Sequence, residues 1–369
     1  MMKFTIEKKV IIKHLEDVSK AIDSNNIYVH LRNFYINVLD KMIIIKGSNG
    51  YFSIESKIEI DKIISIEKIG NLLIPANMFI NIVKKCENKI LFYVENKVLI
   101  IENENDRYEI NLIEEDEYPS IDFSLYGEKI ILDSKKLRDA IEGVIFASSQ
   151  TYEEMILTGI NLKYEKGKLH VTATDSFRLA QEIVEIKDDR NITFDVTVTN
   201  KNIKNFIPSN IEGEVTLYVN EHKINLIKNT TNFQSKIIDA PYKDVSSIFN
   251  IQYSKKLTIN KTILNNAINK AVFASGSDSY NKLNLVINNE KINIITNTDK
   301  IGRANVVISK DEYEYNGEEI SITLNYKYLK EAINIFNDKI NIHLIDSYKP
   351  IMINDDKKLN KQIISPMIS

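Results

Sequence analysis

The hydrophobic positions of the chain keep two periods, and each period recurs three times. In KKVIIKHLEDVSKAI (8–22), Ile11, Leu15, Val18 and Ile22 lie four, three and four residues apart, which is one face of a helix. The segment DSKKLRDAIEGVIFASS (133–149) repeats that stripe at Leu137, Ile141, Val144 and Ser148. INKTILNNAINKAVFAS (259–275) repeats it again at Leu264, Ile268, Ala271 and Ser275. The steps are 126 and 127 residues. A second stripe follows Pro75, a residue suited to the first turn of a helix, at Phe79, Ile82, Val83 and Cys86. It returns 250 residues later at Leu329, Ala332, Ile333 and Phe336. The middle copy, Ile203, Phe206 and Ile207, degrades at Asn210.

Between the helical stripes run alternating, β-branched segments bounded by Asn, Gly and Asp, the pattern of antiparallel strands. They include 41–60, 167–186 and 290–309, with hairpin-like pairs after each second helix. A unit of helix, strands, helix, strands over roughly 125 residues is too long for a solenoid repeat and has the size of a domain. The pattern therefore predicts an α+β chain of three repeated domains of similar topology, two helices plus antiparallel sheets in each. The expected domains are 1–124, 125–252 and 253–369, with joints at 114–129 and 239–256. Neither joint is a Gly/Ser tether, so the domains are expected to sit in fixed relation.

Composition narrows the function classes. At 369 residues with 43% hydrophobic and 27% charged positions, the chain can bury a sizeable core. The single cysteine, Cys86, excludes an intramolecular disulfide and falls on an apolar stripe, so it reads as a core residue, not a nucleophile. The first fifteen residues lack an apolar leader and no apolar run reaches eighteen residues, which points to a cytoplasmic protein. The five histidines are scattered, and there is no P-loop, GxGxxG, GxSxG or EF-hand pattern. No metal, cofactor or catalytic group is expected. The abundance of Ile, Lys and Asn reads as codon bias.

The net charge of −3 argues, as an average, against a nucleic-acid partner. Its distribution argues otherwise. The six helical windows 7–20, 75–88, 134–149, 200–211, 260–275 and 325–338 hold fifteen basic and eight acidic residues, +7 against −10 for the remainder. Lys9, Lys13 and Lys20 project opposite the first apolar stripe. For any one lysine, an ordinary solvated helix face explains the position equally well. The summed bias over six repeat-related helices favours a phosphate-facing surface.

Three such repeats, with Ala173-Thr174-Asp175-Ser176-Phe177-Arg178-Leu179-Ala180 in the middle one, resemble the bacterial sliding clamp family, the beta subunits of DNA polymerase III. The family's usual ATDGHRLA stands here as ATDSFRLA, and its start MKFT appears at Met2–Thr5, making Met1 an extra or alternative start. Its YPD-like joint appears as Tyr242-Lys243-Asp244 and its near-terminal Pro-Met as Pro366-Met367. The resemblance spans essentially the whole chain. It implies the DNA clamp fold and a homodimer closed head to tail into a ring around double-stranded DNA. The implied function is a non-catalytic processivity factor that tethers the polymerase III catalytic subunit. A clamp loader and replication and repair proteins carrying clamp-binding peptides are the further partners implied; no membrane partner is. The competing classes are a repeat-built interaction scaffold without DNA and an enzyme with its site at a domain junction.

Carried over residue by residue, the resemblance places a partner-peptide pocket at Leu157, Thr174, Phe177, Arg178, Leu179, Ile248, Tyr280, Asn325, Tyr328, Tyr348, Pro350, Pro366 and Met367. Apolar walls would hold the peptide's anchors, and Arg178 and Asn325 its polar end. The plain alternative for Leu157, Leu179 and Ile248 is domain core. Ser176-Phe177 replace the usual Gly-His, Lys243 the joint's proline and Ser365 a hydrophobic residue, which alters the peptide preference. The lysines expected to face DNA are Lys9, Lys13, Lys84, Lys135, Lys201, Lys204 and Lys327. Phe146 and Phe273, 127 residues apart, are expected opposite the buried stripe of their helices. Phe273 would meet the strand RYEINL of a partner subunit at Tyr108 and Ile110.

Overall fold

The computed structural model describes residues 2–114, 118–151, 153–188, 190–273, 281–298, 302–357 and 359–367. The first repeat runs β1 (Lys3–Glu7), α1 (Lys8–Ser19), β2 (Asn33–Leu39), β3 (Met42–Ser48), β4 (Phe52–Glu59), β5 (Ile63–Lys68), β6 (Gly70–Pro75), α2 (Ala76–Lys85), β7 (Lys89–Glu95), β8 (Val98–Asn103) and β9 (Asp106–Asn111). The second runs β10 (Glu128–Asp133), α3 (Ser134–Glu142), β11 (Gly159–Glu165), β12 (Lys168–Thr174), β13 (Arg178–Glu185), β14 (Phe194–Thr199), α4 (Asn200–Phe206), β15 (Glu214–Val219), β16 (Lys223–Lys228) and β17 (Thr231–Lys236). A short α5 (Ser246–Phe249) precedes the third. That repeat comprises β18 (Lys255–Asn260), α6 (Lys261–Val272), β19 (Lys282–Ile287), β20 (Lys291–Thr298), β21 (Gly302–Ser309), β22 (Tyr313–Asn316), β23 (Ile320–Asn325), α7 (Tyr326–Asn334), β24 (Lys339–Leu344), β25 (Ile351–Asn354) and β26 (Asn360–Ile364).

The repeat extends to single hydrogen bonds. A helix start leaves backbone N–H groups without intrahelical acceptors. In all three repeats a carbonyl from the turn after the second helix accepts the first of them: Asn88 O from Lys8, Gly213 O from Ser134 and Asp338 O from Lys261, at 2.7, 2.9 and 2.7 Å. The predicted stripes are the buried faces. Ile11, Leu15 and Val18 are fully buried, as are Leu137, Val144, Ile268 and Ala271. Cys86 is 1% exposed at the end of α2, and burial pushes its thiol pKa up.

Helix ends depart from the expected windows where one residue stops the helix. α3 ends at Glu142 because Gly143 follows, and its carbonyl accepts Gln362 Nε2 at 3.1 Å. Residues 145–147 then form a separate 3-10 turn, so Phe146 is not on the helix at all. α4 ends two residues short of Pro208, which disfavours helical backbone before it. α5 forms inside the stretch 239–256 expected to be a plain joint.

By compactness the chain divides into two units, residues 1–135 with 201–237, and residues 136–200 with 238–369. Unit 1 contains a five-stranded sheet, β5-β1-β7-β8-β9, and an eight-stranded sheet, β10-β15-β16-β17-β4-β3-β2-β6. Unit 2 contains a nine-stranded sheet, β14-β11-β12-β13-β26-β25-β24-β18-β22, and a four-stranded sheet, β21-β20-β19-β23. The larger sheet of each unit crosses a repeat boundary at one antiparallel seam. β4 of the first repeat pairs with β17 of the second, Ile54 opposite Phe233. β13 of the second pairs with β26 of the third, Ala180 opposite Gln362. The first joint is fastened inside unit 1: Lys223 Nζ donates to Asp122 O and Oδ2 at 2.7 and 3.0 Å, and Asn232 Nδ2 to Phe123 O at 3.3 Å.

Candidate functional site

The residues expected to form a peptide pocket lie in unit 2, around the turn between β12 and β13. Asp175 Oδ1 accepts the backbone N–H groups of Phe177 and Arg178, both at 3.0 Å, and Thr174 Oγ1 donates to Arg178 O at 2.6 Å. Ser176 takes φ +76°, a left-handed conformation that favours glycine. The turn thrusts Phe177 outward, 64% exposed. The end of the chain runs beside it: Ser365 N donates to Phe177 O and Met367 N to Thr323 O, both at 2.9 Å. Thr323 belongs to β23, whose last residue Asn325 caps α7 by accepting from Lys327 N and Tyr328 N. Phe177, Pro366, Met367, Asn325 and Tyr328 are thereby brought to one locality, built on a seam and a helix start. Tyr348 is 78% exposed and Pro350 half-buried on the segment between β24 and β25.

Leu157 is 5% exposed and packs with Ile156, Ile238 and Tyr242. Thr174 and Leu179 are buried, and Ile248 is half-buried on α5. Tyr280 lies outside the described residues. Tyr242, visible in the sequence only as part of the joint motif, packs against the Leu157 cluster, and burial raises its phenol pKa.

Arg178 differs most from expectation. Its side chain is only 10% exposed, and its donors are already occupied. Nε lies 3.0 Å from Asp175 Oδ2, one terminal nitrogen contacts Glu331 Oε2, and the other donates to Phe146 O. The guanidinium sits 4.2 Å from the Tyr328 ring centroid and 5.4 Å from that of Phe146. Arg178 is thus a buttress that ties the β12–β13 turn to Phe146 and to α7. It also explains Phe146, whose ring meets this guanidinium within unit 2 instead of standing on an open helix face.

All seven lysines expected to face DNA are exposed: Lys9 and Lys13 on α1, Lys84 on α2, Lys135 on α3, Lys201 and Lys204 on α4, and Lys327 on α7. Lys9 lies 2.7 Å from Glu7 and Lys84 3.5 Å from Glu16. Redrawn to their observed bounds, the six repeat-related helices hold fourteen basic and five acidic residues, an excess of nine.

Of the residues expected at a subunit contact, Phe273 ends α6 and is 91% exposed. Tyr108 is half-buried, its hydroxyl 3.3 Å from Asp106 Oδ2. Ile110 corrects the expectation: it is 3% exposed, with its side chain in the core of unit 1. The outward side chains of β9 are those of Arg107 and Glu109.

Three family models divide almost the whole chain between them. The N-terminal domain of the DNA polymerase III beta subunit matches residues 2–122, the central domain 131–244 and the C-terminal domain 246–367. The chain belongs to the DNA polymerase III beta subunit family. Among curated beta sliding clamps, that of Mycoplasmopsis pulmonis is 27% identical and that of Mycoplasma capricolum 26%, each match covering 99% of both chains. The crystal structure of the Bacillus subtilis DNA polymerase sliding clamp superimposes with a TM-score of 0.93 at 26% identity, covering 100% of this chain and 99% of that one. The Pseudomonas aeruginosa beta subunit, at 21% identity and a TM-score of 0.94, shares the fold. Among the described residues, no helix is long and apolar enough to cross a membrane.

Proposed function

We propose that two copies of this beta clamp chain close head to tail into a ring that encircles duplex DNA and tethers the replicative polymerase, without catalysing a reaction itself. One observation carries the ring: the seam between repeats is used twice in the chain and leaves one strand of each kind over. β4, β13 and β21 are equivalent, and so are β17, β26 and β9. β4 pairs with β17 and β13 with β26, whereas β21 and β9 stand at sheet edges. Burial follows the pairing. β4 is buried at six of its eight positions, whereas in β21 only Ile308 is buried. Five of the six β17 residues are buried, against Ile110 alone in β9. Exposed edges of this length are ordinarily protected from association with other chains. A second copy that set its β9 against β21 would complete both sheets, and two such contacts close a dimer.

In the register of the two internal seams, Ala304 would face Tyr108 of the partner subunit, and Arg303 the partner's Glu109, a pair of opposite charge. Phe273 would bury its ring at the same contact. The ring would use the basic helix faces, with Lys9, Lys13, Lys84, Lys135, Lys201, Lys204 and Lys327, for phosphate attraction without base readout. The locality around Phe177, Tyr348, Pro366 and Met367 would receive an apolar peptide from the polymerase, from the clamp loader and from other replication proteins. The domains 1–124, 125–252 and 253–369 and a cytoplasmic location belong to the same reading. Analytical ultracentrifugation tests its oligomeric basis. The expected result is a dimer that Phe273→Asp weakens; a monomer at all accessible concentrations would remove the ring.

A further inference from the structure

Two clefts occupy equivalent places in the two units. In unit 1 a cleft of about 910 Å³ lies between α1, residues 209–212 after α4 and the turn 228–231. In unit 2 a cleft of about 730 Å³ lies between α3, residues 335–337 after α7, and Asp355, Lys357, Leu359 and Asn360. A step of 126 residues carries Lys13 onto Asp139, His14 onto Ala140 and Ser209 onto Ile335, so the same parts of two successive repeats build both.

Their charges are opposite. The unit 1 cleft presents Lys9, Lys13, Lys20, Lys62 and Lys228 against Glu16, Asp17 and Glu212. Lys20 is held 2.7 Å from Asp17, while Lys13 and Lys62 have no ion-pair or hydrogen-bond partner among the described residues. The unit 2 cleft presents Asp139, Glu142, Glu182, Glu185 and Asp355 against Lys136 and Lys357. The floors differ in the same sense. In unit 1, Ser56 Oγ bridges His14 Nδ1 at 2.7 Å and Thr231 Oγ1 at 2.6 Å, a neutral network. The position equivalent to Ser56 is Glu182, whose carboxylate meets Asn360 Nδ2.

We infer that the unit 1 cleft is the station that holds the phosphate backbone of duplex DNA, chiefly through Lys13 and Lys62, and that the equivalent cleft of unit 2 takes no phosphate. The inference rests on the reading that the chain binds duplex DNA, and it makes that contact uneven around the ring: one quasi-equivalent junction attracts the backbone and the next repels it. Ammonium groups without internal partners give up no ion pair when a phosphate arrives, and the neutral floor sets no carboxylate against it.

The test is the affinity of the full chain for a fluorescent linear duplex, followed by anisotropy between 50 and 200 mM salt. Each phosphate contact contributes about 0.9 to the slope of log affinity against log salt. Lys13→Gln with Lys62→Gln is expected to flatten that slope by about 1 to 2, a loss of roughly tenfold in salt sensitivity over this range. Asp139→Asn with Glu142→Gln is expected to bind equally or more tightly, and Asp139→Lys to steepen the slope by about 1. Lys13, Lys62, Asp139 and Glu142 are all exposed, and circular dichroism checks that each variant is folded. Salt-dependent binding by wild type with an unchanged slope in the Lys13/Lys62 variant overturns the inference while leaving DNA binding intact. Absence of duplex binding by wild type overturns both. Displacement of the duplex by inorganic phosphate beyond the effect of its ionic strength would reassign the cleft to a free anion and overturn the inference as well.

Discussion

Replacing Arg178 by alanine should loosen unit 2 far more than a change at a merely polar pocket wall. The guanidinium is 10% exposed, and the Asp175 carboxylate beside it is 12% exposed. Removing one member of a buried charge pair typically costs about 3 kcal/mol or more, because the other is left uncompensated. The contact with Glu331 adds little, since that side chain is 48% exposed. Loss of the stacked position 4.2 Å from the Tyr328 ring adds about 1 kcal/mol. The expected loss is therefore about 3 to 4 kcal/mol, with Arg178→Lys losing about half of it because the ammonium cannot fork between Asp175 and the Phe146 carbonyl. Urea unfolding, with hydrogen exchange at β13 and β26 to locate the transition in unit 2, measures the effect. Asp175→Asn added to Arg178→Ala should recover part of the loss, since it removes the orphaned charge. A loss below about 1 kcal/mol for Arg178→Ala, or a lysine variant as stable as wild type, would refute the buttress and return Arg178 to the role of a free peptide-binding group.

Three further outcomes follow from the structure. Gly127 has φ +101°, and a Cβ there would stand 2.2 Å from Val219 O, so Gly127→Ala should cost about 2 to 4 kcal/mol, read as a lowered urea midpoint for unit 1. Burial, with Asp355 and Asp139 nearby, raises the Glu182 pKa to about 7 from its ordinary 4.5, against the opposing Asn360 hydrogen bond. Its folded pKa lies above its unfolded one, so its contribution to stability is complete below about pH 4.5 and is lost as pH rises through about 7. Unit 2 should lose about 2 to 3 kcal/mol over that window, and Glu182→Gln should flatten the dependence; an identical pH profile in the variant would contradict the assignment. Tyr108→Cys with Ala304→Cys should form a disulfide between copies under mild oxidation, seen as a covalent dimer in non-reducing electrophoresis, because directly opposed strand residues lie within disulfide reach. Cys86, 1% exposed, should not compete.

Much of this architecture is legible in the sequence because helical stripes and strand alternation are local. Ile11, Leu15 and Val18 announce their buried face without any knowledge of what covers it. What was not legible depends on distant partners. Phe146 looks like an open aromatic on a helix until Gly143 ends that helix and the fold brings Arg178 beneath its ring. Arg178 reads as a free cation because Phe146 and Glu331, which occupy it, lie 32 and 153 residues away. Tyr108 and Ile110 share one face of β9 by simple alternation; only the packed sheet shows that this is the inward face and that Arg107 and Glu109 point out. The seams joining one repeat to the next are the most informative feature for function. They too are pairings between residues more than 170 positions apart, invisible to any local pattern.

Encirclement is a topological property, and retention on closed DNA reports it. The chain, loaded on a nicked circular plasmid by a bacterial clamp-loader complex and separated from free protein by gel filtration, should remain with the circle at a salt concentration that abolishes binding to short duplexes. Cutting the plasmid once should release it, and the Phe273→Asp variant should be retained poorly from the start. Retention unchanged by linearisation, or loss from the intact circle at the same rate as from the linear form, would contradict encirclement.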